Sequence, residues 1–92
     1  MPTREDVRIC RDPRIPFQEI QGQAIIVVPA RRELHQLDET ATFLWSALKE
    51  SRSVRELSES LCREFDVDAE RAERDVRDFV ASLEEKGLVV RG

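Results

Sequence analysis

The sequence predicts an α+β domain of winged helix-turn-helix-like design, a three-stranded antiparallel β-meander followed by three α-helices. Three observations carry that expectation. The β-branched run Ala24-Ile25-Ile26-Val27-Val28 lies between two turn signals, Gln21-Gly22-Gln23 and Pro29-Ala30-Arg31-Arg32. From residue 38 the apolar residues recur at helical spacings of three and four. Each helical stretch opens on a side-chain oxygen that can cap it, from Asp38, Ser53 or Asp68.

Taken in order, residues 1–14 mix Arg and Asp with two prolines and no period, and read as a flexible tail ahead of a domain over residues 15–92. Pro16-Phe17-Gln18-Glu19-Ile20 is a first short strand, hairpinned to the Ala24–Val28 run, which Pro29 stops. Glu33-Leu34-His35-Gln36-Leu37 is a third strand. With connections this tight the three form a meander whose middle strand is the most buried. Asp38 caps a helix running to about Lys49, with Ala41, Leu44, Trp45 and Leu48 on one stripe and Phe43 off it. Ser53 and Glu56 have the spacing of a capping box ahead of a helix that turns Val54, Leu57, Leu61 and Phe65 inward. Asp68 caps the third helix, where Val67 can staple against Ala72, and Ala72, Val76, Phe79, Val80 and Leu83 make the apolar stripe. Lys86-Gly87 supplies the cation and the left-handed residue of a helix end, and Leu88-Val89-Val90 is extended.

Length and charge then narrow the function. A chain of 92 residues with 40% hydrophobic content makes one small domain whose apolar residues are nearly all claimed by the core, leaving little for a deep catalytic cleft. The 15 bases, 13 Arg with Lys49 and Lys86, face 19 acids. Residues 1–37 carry six Arg and five acids, a net of +1, and residues 38–92 carry nine bases and fourteen acids, a net of −5. That balance argues against bulk binding of nucleic acid or an anionic membrane, both of which use positive charge. The third helix, which a helix-turn-helix would lay in a DNA groove, has six acids against four bases and would repel phosphates. Its Arg74 and Asp78, and its Glu73 and Arg77, are i,i+4 pairs that support a solvated face. Two cysteines are too few for the disulfide framework of a small secreted domain, so the expected setting is a reduced cytoplasm, and the start lacks a signal-peptide apolar core and no run is long enough for a membrane span.

Catalytic, metal and cofactor chemistry finds few candidates. His35 is the one histidine and Tyr is absent, while Cys10 and Cys62 are the two thiols. Nucleophilic and metal sites need several such groups to converge, and the three glycines, Gly22, Gly87 and Gly92, make no phosphate loop. Cys62 falls on the inward side of its helix, as a buried thiol does. The expectation is a protein that is not an enzyme and holds no metal or cofactor.

The third strand gives the positive lead. It is a sheet edge, and Leu34-His35-Gln36-Leu37 contains none of the Lys, Pro or inward charge with which proteins blunt such edges. An open edge beside a long amphipathic helix suits an extended peptide that adds as a strand. A covering element, or a homodimer pairing third strands, accounts for it equally well.

The order of these segments resembles the PqqD family. The residues that carry the resemblance are Ala24–Val28, the turn Pro29 to Arg32, Leu37-Asp38-Glu39-Thr40-Ala41 with Trp45, then Val54-Arg55-Glu56-Leu57, Phe65-Asp66-Val67-Asp68 and Phe79 to Gly87-Leu88-Val89. They span about residues 14–90, and Asp38 stands where the family more often has Asn, a change that keeps the cap. The resemblance implies a RiPP recognition element, a peptide chaperone that holds the leader of a ribosomally made precursor and presents it to a modifying enzyme, commonly of the radical S-adenosylmethionine class. PQQ is one product of such pathways. It implies strand pairing at Glu33, Leu34, His35, Gln36 and Leu37, and a groove beside the third helix, for which Arg74, Arg77, Asp78 and Ala81 are the candidates. Periodicity leaves open which flank of that helix faces the groove. Affinities around micromolar, about −8 to −9 kcal/mol, suit so small a contact. Proline at His35 or Gln36, whichever amide points outward, tests the pairing. The other reading is a winged-helix regulator or protein-interaction module, whose DNA binding would fall steeply with salt.

Overall fold

The computed structural model of the chain describes residues 7–91. Its elements are strands β1 (Arg8–Arg11), β2 (Phe17–Ile20), β3 (Gln23–Val28) and β4 (Glu33–Gln36), helix α1 (Glu39–Ala47), strand β5 (Arg52–Ser53), helices α2 (Val54–Glu64) and α3 (Ala69–Glu85), and strand β6 (Val89–Arg91). The expected meander is present as an antiparallel sheet in the order β2-β3-β4. At the β2–β3 turn Gln21 and Gly22 both have positive φ, 52° and 79°, the backbone that a two-residue type I′ hairpin turn requires. Along β3 the side chains alternate, with Ala24, Ile26 and Val28 fully buried, because one face of the sheet lies on the helices.

All three helices start at the residues that can cap them. Asp38 Oδ1 accepts from the Ala41 amide at 2.8 Å, Asp68 Oδ1 accepts from Arg71, also at 2.8 Å, and Ser53 with Glu56 forms the reciprocal capping box. The helix expected to run to about Lys49 ends at Ala47. At the end of α3, Gly87 has φ +70°, its amide donates to the Glu84 carbonyl and the Leu88 amide donates to that of Leu83. This pair of bonds is a Schellman stop, and it turns Leu88 back into the core.

The reading of residues 1–14 as a flexible tail is corrected over its second part. Residues 1–6 lie outside the described residues, but β1 forms the centre of a second sheet, β5-β1-β6, so residue 15 marks no structural boundary. Ile9 is buried in the common core, and the Arg11 and Asp12 amides donate to the carbonyls of Leu48 and Leu88 at 2.9 Å. A four-residue strand with one buried side chain has too short a pattern to read, and both of its partners come from far along the chain.

Trp45, Leu48, Leu57, Leu61, Val76 and Leu88 fill the space between the helices and the two sheets. The Phe17 ring meets Trp45 edge to face, with centroids 5.6 Å apart, and the Arg11 guanidinium lies 4.6 Å from the Phe17 centroid. Phe43, off the main stripe of α1, meets Phe65 in the same manner on the other side of that helix. Among the described residues no helix is long and apolar enough to cross a membrane.

Candidate functional site

The β4 edge can be built one hydrogen bond at a time. The Leu37 amide donates to the Ala24 carbonyl at 2.8 Å, and β3 and β4 are antiparallel with Ile26 opposite His35 and Val28 opposite Glu33. In an antiparallel ladder the bonded pairs alternate, so Glu33, His35 and Leu37 direct their backbone groups to β3. Leu34 and Gln36 therefore direct theirs away from the sheet. On the opposite side of β3, Val27 donates to the Pro16 carbonyl, which sets β2 against the other residues of the central strand. Thr42, on α1, completes the β4 end of the ladder: its hydroxyl accepts from the Ala24 amide at 2.9 Å and donates to the Leu37 carbonyl at 3.4 Å.

The side chains of β4 divide by the same alternation. Leu34 stands on the outer face, 69% exposed, opposite Val27. On that face the Gln36 amide nitrogen donates to the Gln23 side-chain oxygen at 2.8 Å. His35 turns toward the helices and is half-buried, with Nε2 3.7 Å from a Glu33 carboxylate oxygen.

Between β4 and α3 runs a shallow cleft of ≈ 190 Å³, whose floor is Ile26, Leu37, Ala41 and Leu83 and whose helix wall is Phe79, Ser82 and Lys86. That volume is below the ~300 Å³ where small-molecule pockets begin, and suits one or two side chains of an extended chain. Arg31, in the turn before β4, reaches Glu85 at 3.7 Å and links this edge to the end of the helix.

Of the residues expected at the site, the structure brings Glu33 to Leu37 together on one edge. The helix candidates divide. Arg77 and Ala81 line a separate cleft of ≈ 230 Å³ with Val7, Ile9 and Val80, on the flank of α3 that faces β1 and β6. Asp78, one turn before Ser82, and Arg74, one turn before Asp78, are both exposed and line neither cleft. Arg77 pairs with Glu73 at 2.6 Å as expected, whereas the Arg74–Asp78 pair gives way to Arg71 with Asp75 at 3.7 Å. Phe79, Ser82, Leu83 and Lys86 also line the groove, one i,i+3,i+4,i+7 row whose apolar members are indistinguishable in sequence from the core stripe.

Among the described residues no three His, Cys, Asp or Glu side chains converge as a metal site. The thiols of Cys10 and Cys62 are both free and both partly covered. The carboxylates held below their ordinary range are structural. Hydrogen bonds from the Arg14 side chain and amide hold Asp12 down, and the Ser53 amide, aided by Arg8, holds Glu56 down.

Comparison with known proteins supplies a context for the edge and groove. Residues 23–89 match the family model described as coenzyme PQQ synthesis protein D, PqqD. A PqqA binding protein of Xanthomonas oryzae pv. oryzae (strain PXO99A) is 30% identical over 76 residues, 83% of this chain and 80% of that protein. The solved structure of TbiB1 in complex with the TbiA(β) leader peptide superposes with a TM-score of 0.77 at 26% identity, covering 87% of this chain and 93% of the other. Lasso peptide synthetase B1 complexed with its leader peptide gives a TM-score of 0.75, also at 26% identity, covering 89% and 96%. The PqqD truncation of Methylobacterium extorquens PqqCD, a stand-alone RiPP recognition element, shares the fold with a TM-score of 0.74 at 18% identity, covering 97% and 94%.

Proposed function

The chain belongs to the PqqD family, and from that premise we propose that it is a peptide-binding adaptor of RiPP biosynthesis, which captures the leader of a ribosomal precursor by strand addition and presents it to a modifying enzyme. One observation carries the mechanism: the backbone groups of Leu34 and Gln36 face outward on an edge that borders an apolar cleft. A leader strand placed there exchanges main-chain hydrogen bonds with those two residues, and its alternate side chains enter the cleft against Phe79 and Leu83. The main-chain bonds tolerate many sequences, so the cleft is where selectivity arises. The leader-bound relatives and the PqqA binding protein support this reading.

In this reading the chain works in the cytoplasm, performs no chemistry of its own and delivers its peptide to an enzyme of the radical S-adenosylmethionine class. Its contacts are Glu33 to Leu37 with the β4 flank of α3. Arg74, Arg77, Asp78 and Ala81 lie outside it. A homodimer pairing β4 with β4 would cover the same amides and so compete with the leader. Sedimentation with and without peptide separates the two uses of the edge.

Leu34→Pro is the direct test, because it removes an outward amide and leaves the ladder to β3 intact. Gln36→Pro does the same at the second position, whereas His35→Pro breaks a ladder bond and reports on folding instead. With the leader of a precursor peptide found in a neighbouring reading frame as the ligand, calorimetry should give a Kd near ~1 µM for the wild type, about −8 kcal/mol. Leu34→Pro should weaken it at least tenfold with an unchanged circular dichroism spectrum. Full affinity in both folded proline variants would rule out strand addition.

A further inference from the structure

We infer that Lys86 makes the groove selective for peptides bearing a carboxylate, so that the segment captured presents Asp or Glu an even number of residues from a large apolar side chain. The inference rests on the strand-addition reading and adds to it the chemistry of the peptide.

Lys86 is the cation of the cleft. Its ammonium donates to Ser82 Oγ at 2.7 Å and, among the described residues, enters no ion pair. The neighbouring bases of α3 differ in this: Arg71 and Arg77 are matched within the helix to Asp75 and Glu73. The cleft's other full charge is Asp38, and it is engaged, since its Oδ1 accepts from the first turn of α1, whose dipole favours that negative charge. An ammonium with one hydroxyl partner retains donors for a further acceptor. It retains them beside Phe79 and Leu83, where Lys86 is half-buried and its ammonium stands at the wall of the cleft. A chain with a formal net charge of −4 repels acidic peptides at long range, so a preference for them at the groove must come from a local cation.

The spacing follows from strand geometry. Side chains of an added strand alternate between faces, and only those on the α3 side reach the cleft. An apolar residue seated against Phe79 and a carboxylate seated at Lys86 therefore lie two or four positions apart. The plainer role for Lys86 is to complement the C-terminal dipole of α3. That role predicts no change in peptide selectivity when the charge is altered.

A displayed library of random twelve-residue peptides separates the two roles. Immobilised wild type should enrich sequences with Asp or Glu at an even distance from a large apolar residue, and these should lose binding to Leu34→Pro. Replacing that acid by Ala in a selected peptide should raise Kd about 3- to 10-fold, the range of a partly exposed charge-assisted contact. Lys86→Glu should select Lys or Arg at the same position, and Lys86→Gln should select neither charge. Lys49→Glu, the same charge change at an exposed residue just beyond α1, should leave the acidic pool unaltered. The same pool from wild type, Lys86→Glu and Lys86→Gln overturns the inference and leaves strand addition standing. A library yielding no peptide sensitive to Leu34→Pro overturns strand addition itself, and this inference with it.

Discussion

The Thr42 hydroxyl closes a gap in the ladder that would otherwise leave two polar groups unsatisfied beside the core. Ala24 is fully buried and its amide has turned from Leu37 to Thr42, so the hydroxyl stands between the two strands as acceptor and donor. Thr42→Val keeps the shape and deletes both bonds. The expected cost is about 1–3 kcal/mol, the penalty for an unpaired buried amide, measured as a lower urea midpoint with the slope unchanged. Thr42→Ser should restore most of it. Residue-level detail of this sort was only partly legible beforehand. The sequence locates the strand Glu33 to Leu37, but which of its amides face outward depends on the parity fixed by the Leu37 bond to Ala24. The flank of α3 was illegible for a related reason. Residues on either side of a helical stripe look alike in sequence, and only packing against β4 distinguishes Ser82 from Ala81.

The helices were the most legible elements because their signals are local. A cap oxygen, a capping box and a Lys-Gly stop each act within one turn, and each operates where the sequence puts it. Two variants test how far these devices hold the groove. Gly87→Ala places a Cβ at φ +70°, with open space around it, so the cost is backbone strain alone, about 1 kcal/mol. Thermal unfolding should detect it as a lower Tm. Glu56 makes a pH prediction. Its folded pKa is lowered from 4.5, chiefly by the Ser53 amide, so its contribution is complete above that ordinary value and is lost as pH falls through the lower folded value. Glu56→Gln should therefore be less stable than wild type at pH 7, with the gap narrowing below about pH 4.5 as the wild-type carboxyl protonates. A gap constant down to pH 3 would mean that the charge form of Glu56 is irrelevant to the cap. The short strand β1 carries no local device of this kind.

At the scale of the whole molecule, β1 decides whether the helical half and the meander act as one unit. It pairs with β5 and β6, its Arg11 amide and the following Asp12 amide donate to Leu48 and Leu88, and it sends the Arg11 guanidinium over Phe17 of the other sheet and to the Trp45 carbonyl at 3.2 Å. No window of the sequence contains that arrangement, since residues 9, 52 and 91 meet only after the chain has folded. A small domain is stable by roughly 5–15 kcal/mol, and one buried branched side chain is a large share of that. Ile9→Ala should cost about 2–5 kcal/mol and shift the urea midpoint of all probes together. Deleting residues 1–14 should do more, removing the central strand of one sheet and exposing the far sides of Leu48 and Leu88. The fragment of residues 15–92 should unfold without a sharp transition, and leader affinity should fall with it although every groove residue is retained. If the fragment instead keeps a cooperative transition at the wild-type midpoint, residues 7–14 are an appendage, and the groove between β4 and α3 is held by the meander and helices alone.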